Sequence, residues 1–390
     1  MLNILENFVF SKYINLKCVL QFAHAKESTK IFRNLGTNEI PSIKHPINED
    51  ALKSYLQDVN EINVRGKKRS RNKDKDEKYK KYSEMEELIK VGEMYYSACI
   101  PTEIQEELES TSLKTFELIL ETDYLQYPWE IFHDGKQFMG LKYNLGRIII
   151  RDPKERHRIK YPDFGVRNGV TFLIIGDPEE NLPWAKHEAE FLRDKLKKIE
   201  GVDVTCLLGQ EANSRDIGKA LLEGYDFIHY CGHAGFDTDK PHESGICLSD
   251  RLFKAYEIKN IKMKKPPILA FINGCESSKV LGVKEAPYEN QVSGLASSFY
   301  QKGINYIGSL WKVDDKVASE TALKFYLDFL KGYPMGESLR NARDYAYITI
   351  NKENSTWASY VLYGDPTLKL RREEEIKEDK KSKGKIKKKK

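Results

Sequence analysis

The sequence predicts an α/β fold with a mostly parallel central sheet flanked by helices on both faces. Three observations carry this. From about residue 168 the chain alternates apolar strands with amphipathic helices. The strands "TFLII", "DFIHYC" and "PILAFI" are near-continuous apolar runs, as strands buried on both faces require. The segments between them, such as 184–200, repeat apolar residues at helical spacing.

The elements follow in order. Residues 16–23, "LKCVLQFA", read as a strand, and 48–62 as a helix capped by Asn48 or Asp50. The basic run 65–81, "RGKKRSRNKDKDEKYKK", has no apolar period and reads as a solvated linker. Segment 82–100 reads as a helix with Met85, Leu88, Ile89 and Met94 on its inner side. Segment 114–121 alternates as a strand. Residues 127–152 read as a helical turn, a hairpin tip at Asp134-Gly135 and a strand, with Trp129 as a packing anchor. Then come the strand "GVTFLIIGDP", the helix "WAKHEAEFLRDKLKKIE", the strand "VDVTCLLG" and the helix "SRDIGKALLEG", capped by Ser214. The strands "DFIHYCGH" and "PILAFING", the helix "VSGLASSFYQKG" and the strand "INYIGSLW" follow, and two helices close the domain. "YGDP" (363–366) reads as a turn in which Asp365 is structural. The expected organisation is a small α+β region over 1–64 packed on the main domain, a linker at 65–82, a main domain over 83–371 and a disordered basic tail over 372–390.

Composition narrows the function classes. The net charge of +5 is concentrated in the linker and the tail, so a nucleic-acid-binding face is not implied by the folded part. The cysteines at 18, 99, 206, 231, 247 and 275 form no Cys-x-x-Cys pair and read as free thiols of a reducing compartment. The first 25 residues are interrupted by Glu6, Lys12 and Lys17, and no apolar run is long enough for a signal core or a membrane span. A cytoplasmic location is expected.

Two strands end unusually. "DFIHYCGHAGF" (226–236) leaves an apolar run at His233, with Gly232 before it and Gly235 two positions after. "PPILAFINGCESS" (266–278) does the same at Cys275, after Gly274. Sites in parallel sheets lie beyond the carboxyl ends of strands, where both residues sit. A thiol attacks a carbonyl as thiolate or with a base at hand, and imidazole can take its proton and later pass it to the leaving amine. The backbone N–H groups of Ala234 and Cys275 are the expected oxyanion donors. The bland alternative for each residue alone is a buried thiol and a hydrogen-bonded core histidine. A rival chemistry is a zinc site from His229, Cys231, His233 and Cys275, the first three sharing one face of an extended strand. Cys206 and Cys247 read as core.

With "YPWEIFHDGKQFMG", "DFIHYCGHAGF", "FINGCESS", "GLASSFYQKGINYIGSLWKVDD", "FYLDFLKG" and "WASYVLYGDP" in this order, the chain resembles the CHAT proteases, relatives of caspases, separases and gingipains. The resemblance runs over about 83–370 and implies a caspase-like α/β sandwich with a His/Cys dyad at His233 and Cys275. Where the family often shows Cys-x-Ser-Gly, this chain has Cys-Glu-Ser-Ser, departing at Ser278. The resemblance implies that Asn273 faces the pocket for the residue before the scissile bond. It implies too that the "IGSLWKVDD" strand pairs with the substrate backbone, making Ser309, Leu310 and Trp311 groove residues. Asp314 would help such a pocket accept a basic side chain, or else cap the helix that follows.

The expected function is a caspase-like cysteine endopeptidase acting on a protein substrate, without cofactor or metal. Control by a regulatory partner and a place in prokaryotic defence or cell death are implied by the resemblance. The alternative is a catalytically silent scaffold of the same fold that binds peptides or protein partners. Recruitment to nucleic acid through the basic linker and tail is a third, weaker reading, and no membrane partner is expected.

Overall fold

The computed structural model describes residues 17–23, 29–35, 38–39, 43–45, 83–100, 102–110, 117–122, 128–149, 169–235, 243–274, 288–311, 313–350 and 355–370. The expected helix at 48–62, the basic linker, Cys275 and the tail lie outside them. Near the N-terminus are β1 (Lys17–Ala23), β2 (Thr29–Leu35), β3 (Asn38–Glu39) and β4 (Ile43–His45). Helices α1 (Glu84–Cys99) and α2 (Thr102–Ser110) lead to β5 (Glu117–Thr122). A 3₁₀ turn (Trp129–Ile131), α3 (Met139–Lys142) and β6 (Asn144–Ile149) follow.

The alternating part runs β7 (Val170–Gly176), α4 (Pro183–Leu196), β8 (Val202–Leu208), α5 (Ser214–Glu223) and β9 (Phe227–Gly232). After β9 come the short strands β10 (Ala234–Gly235), β11 (Gly245–Cys247) and β12 (Leu252–Lys254), then α6 (Ala255–Asn260). The chain closes with β13 (Leu269–Gly274), α7 (Tyr288–Gln301), β14 (Asn305–Ser309), α8 (Asp315–Leu330), α9 (Met335–Tyr345), α10 (Thr356–Ser359) and β15 (Tyr360–Tyr363).

The main sheet has the order β3-β2-β1-β5-β6-β15-β14-β13-β9-β7-β8, with β4 on β2. Pairing from β14 through β13, β9 and β7 to β8 is parallel throughout, while β15 runs antiparallel to β14. This is the mixed, mostly parallel sheet flanked by helices that the sequence predicts. Strand alternation splits each apolar run between two cores. Leu173, Ile175, Ile228, Tyr230, Ala270 and Ile272 pack on one face, and Phe172, Ile174, Phe227, Cys231, Leu269 and Phe271 on the other. Burial on both faces is why these strands read as continuous rather than alternating.

Local expectations hold with two corrections. In α1 the buried residues include Met85, Leu88, Tyr95, Tyr96 and Cys99, whereas Met94 is 47% exposed. At about 100° per residue Met94 lies half a turn out of phase with Met85. Helix α5 is capped by Asn213, whose Oδ1 accepts the Asp216 N–H at 3.0 Å. Ser214, expected as the cap, is already helical and donates its Oγ–H to Asp250. Trp129 is fully buried, and Asp365 accepts from the backbone and hydroxyl of Thr367, as expected of an anchor and a turn. Among the described residues, no helix is long and apolar enough to cross a membrane.

Candidate active site

Strands β9 and β13 are neighbours in parallel register, with Gly232 opposite Gly274. In the sequence His233 and Cys275 directly follow Gly232 and Gly274, the last residues of these two adjacent parallel strands. Small residues allow the crowding there. A Cβ on Gly274 would lie 3.3 Å from the Ala234 Cβ, so the segment after His233 folds across the end of β13. A Cβ on Gly232 would meet the Tyr230 hydroxyl at 2.6 Å, which only glycine avoids.

His233 is held from several directions. The Cys247 N–H donates to the His233 carbonyl at 2.9 Å. The buried Tyr230 hydroxyl bonds to the same carbonyl and lies 2.9 Å from the Cys247 carbonyl. Residues 233 and 247 therefore form a hydrogen-bonded pair at the end of the β10–β11 ladder. The next pair, Ala234 and Ile246, is of the non-bonded kind, so the Ala234 N–H turns away from β11. His233 is 3% exposed, and its Nε2 lies 2.8 Å from the Asn181 Oδ1.

Asn181 was not singled out in the sequence. It sits in the loop after β7, whose shape is fixed by Asp177. The Asp177 carboxylate accepts the N–H groups of Asn181 and Leu182, and its own N–H donates to the Cys231 carbonyl. Asp177 does this at φ +44°, a left-handed conformation that aspartate tolerates better than most residues. The legible signal was "GDPEEN", a polar turn at the carboxyl end of the strand that neighbours β9.

Among the described residues, the rival zinc set is not brought together. Its His233 turns to Asn181, because strand alternation stops governing direction once β9 ends at Gly232. His229 and Cys231 instead face α4, where their ligand atoms and that of Glu188 lie within 4.8 Å of one another. His229 Nε2 is 3.0 Å from Glu188 Oε1, its Nδ1 is 3.0 Å from the Tyr326 hydroxyl, and Asn273 Nδ2 donates to Glu188 at 2.6 Å. This is a polar chain sealed among Phe271, Phe325 and Tyr326. A buried carboxylate with two partners and an imidazole with both nitrogens engaged satisfy one another. Elemental analysis of the purified chain is expected to find no stoichiometric zinc, and one bound equivalent would contradict this account of the network.

The expected pocket residues fall in different settings. Asn273 is fully buried, and its amide is the one on Glu188. Ser309 is half-buried, while Leu310 and Trp311 are core residues 3% and 4% exposed. Strand β14 lies between β13 and β15, with Ser309 opposite Tyr360, so its own edges cannot take a substrate strand. Asp314 is the N-cap of α8, accepting the Val317 N–H at 3.1 Å, so the capping alternative is what its carboxylate does. Asp314→Ala is expected to lower stability by about 1 kcal/mol in urea unfolding.

The CHAT domain model matches residues 90–365. No curated protein matches the chain. Among solved structures, a chain of the Saccharomyces cerevisiae separase–securin complex is similar at TM-score 0.55 and 14% identity, over 93% of this chain and 31% of that one. The complex of Porphyromonas gingivalis RgpB pro- and mature domains matches at TM-score 0.44 and 14% identity, over 72% of this chain and 70% of that one. The present chain thus spans about a third of the separase-complex chain, and at this identity the likeness is one of fold.

Proposed function

The chain belongs to the CHAT-domain family, and on that premise we propose that it is a cysteine endopeptidase acting through His233 and Cys275. The observation that supports this most is the parallel register of β9 and β13, with Gly232 opposite Gly274 immediately before the two residues. Cys275 is the nucleophile. His233 takes its proton as the thiolate adds to the carbonyl carbon, then gives that proton to the leaving amine. A water, deprotonated by the same imidazole, hydrolyses the thioester and restores the thiol. The tetrahedral oxyanion is received by the N–H groups of Ala234 and Cys275. The direction of the Ala234 N–H, away from β11, supports its part in this.

Control by a protein partner belongs to the same proposal, as does a protein rather than a small-molecule substrate. A fold-level relative solved as a complex with securin supports both only by analogy. The test is to incubate a peptide library with the full chain and sequence the new termini. Cleavage that survives chelator and is stopped by iodoacetamide is expected. Cleavage abolished by chelator would overturn the cysteine mechanism.

A further inference from the structure

We propose that Asn181 is the positioning residue of the His233 imidazole, fixing its neutral tautomer with the proton on Nε2. The inference deepens the endopeptidase reading and rests on it for the catalytic consequence, but not for the tautomer itself. The contact is Asn181 Oδ1 to His233 Nε2 at 2.8 Å. An amide oxygen only accepts, so Nε2 must be the N–H that donates. The proton then cannot be on Nδ1 of the neutral ring. Nδ1 carries the lone pair and is the nitrogen that can take the Cys275 proton.

The 177–182 loop holds three carboxylates, each engaged elsewhere. Asp177 accepts from the backbone of Asn181 and Leu182. Glu179 meets the Cys247 thiol. Glu180 accepts from Gln210 Nε2 at 3.0 Å. From β9 the phenol of Tyr230 reaches the His233 backbone rather than its ring, and from β11 the Cys247 N–H does the same. Asp177 thus builds the loop that delivers Asn181, and its N–H bond to the Cys231 carbonyl ties that loop to the strand bearing His233. A neutral partner orients the ring without adding charge beside it. A carboxylate there would also stabilise the imidazolium, leaving less of the neutral base at a given pH.

The side chain of Asn181 is exposed, so its truncation leaves the core intact. The experiment is nitrogen-15 NMR of the histidine-labelled full chain, with His233→Gln assigning the ring signals. In the parent the neutral ring is expected with its proton on Nε2. In Asn181→Ala that preference is expected to be lost, and in Asn181→Asp restored. Alkylation of Cys275 by iodoacetamide at neutral pH, followed by peptide mass spectrometry, is expected to slow about tenfold to a hundredfold in Asn181→Ala. Asn181→Asp should recover most of that rate and move its acid limb to higher pH. A parent ring protonated on Nδ1, or an Asn181→Ala protein with parental tautomer and parental alkylation rate, overturns the proposal. Failure of the endopeptidase reading looks different: no peptide is cut, while the tautomer result stands.

Discussion

Cys275→Ala is expected to abolish peptide cleavage, a loss on the order of a thousandfold or more, and His233→Ala is expected to match it. The size of the effect follows from what each group does in the proposed mechanism. Without the sulfur there is no acyl-enzyme, and without the imidazole neither proton transfer has a carrier. The two losses should not multiply, because nucleophile and base act as one unit. Circular dichroism and the unfolding midpoint should stay near the parent's for Cys275→Ala. The change replaces the thiol with a hydrogen and removes a single heavy atom. A Cys275→Ala protein that cuts at the parental rate would remove the nucleophile assignment.

The largest stability effect is expected at Glu130. Its carboxylate is 1% exposed and bonds to the Arg147 guanidinium, with Arg343 Nη2 at 3.6 Å. Both arginines are fully buried, so two guanidiniums share one carboxylate inside the protein. Arg343 also donates to the Tyr360 carbonyl at 2.6 Å and the Gly140 carbonyl at 3.3 Å, and Tyr363 lies under Arg147. The cluster thereby pins the Trp129–Ile131 turn, β6, α9 and β15 to one another. Burial pushes the Arg343 guanidinium down to about 10, a sign of how poorly the site tolerates its charge. Glu130→Ala strands two buried cations and is expected to cost about 3–5 kcal/mol in urea unfolding. A loss below about 1 kcal/mol would mean that the carbonyl oxygens and Tyr363 suffice.

The sheet was legible because burial on both faces writes itself as uninterrupted apolar strands, and the two strand ends because glycine, histidine and cysteine break those runs. Which strands would be neighbours was inferred from topology and matches the register of Gly232 with Gly274. What stayed hidden depends on partners distant in sequence. Glu130, Arg147 and Arg343 are far apart in sequence, and only the fold buries them together. Asn181 lies far from His233 in the chain, in a loop whose path is set by one aspartate in a left-handed conformation. Asn273 lies on the face of β13 shared with Phe271, and α4 brings Glu188 to it, which no local pattern announces. Met94 and Ser214 were misjudged by phase and by one position, the errors to which helix faces and helix ends are most prone.

Alkylation of the native chain with limiting iodoacetamide tests the central claim most directly, because Cys99, Cys206, Cys231 and Cys247 are internal controls. Burial raises the Cys99 and Cys247 thiols to about 12 and Cys206 to about 11, and Cys231 is 1% exposed. Thiols so raised are almost wholly protonated at neutral pH and react slowly. Peptide mass spectrometry is expected to find the label first on Cys275, at a rate that falls sharply in His233→Ala. Label spread over these four cysteines, or a Cys275 rate untouched by His233→Ala, would contradict the pairing of the two strand ends.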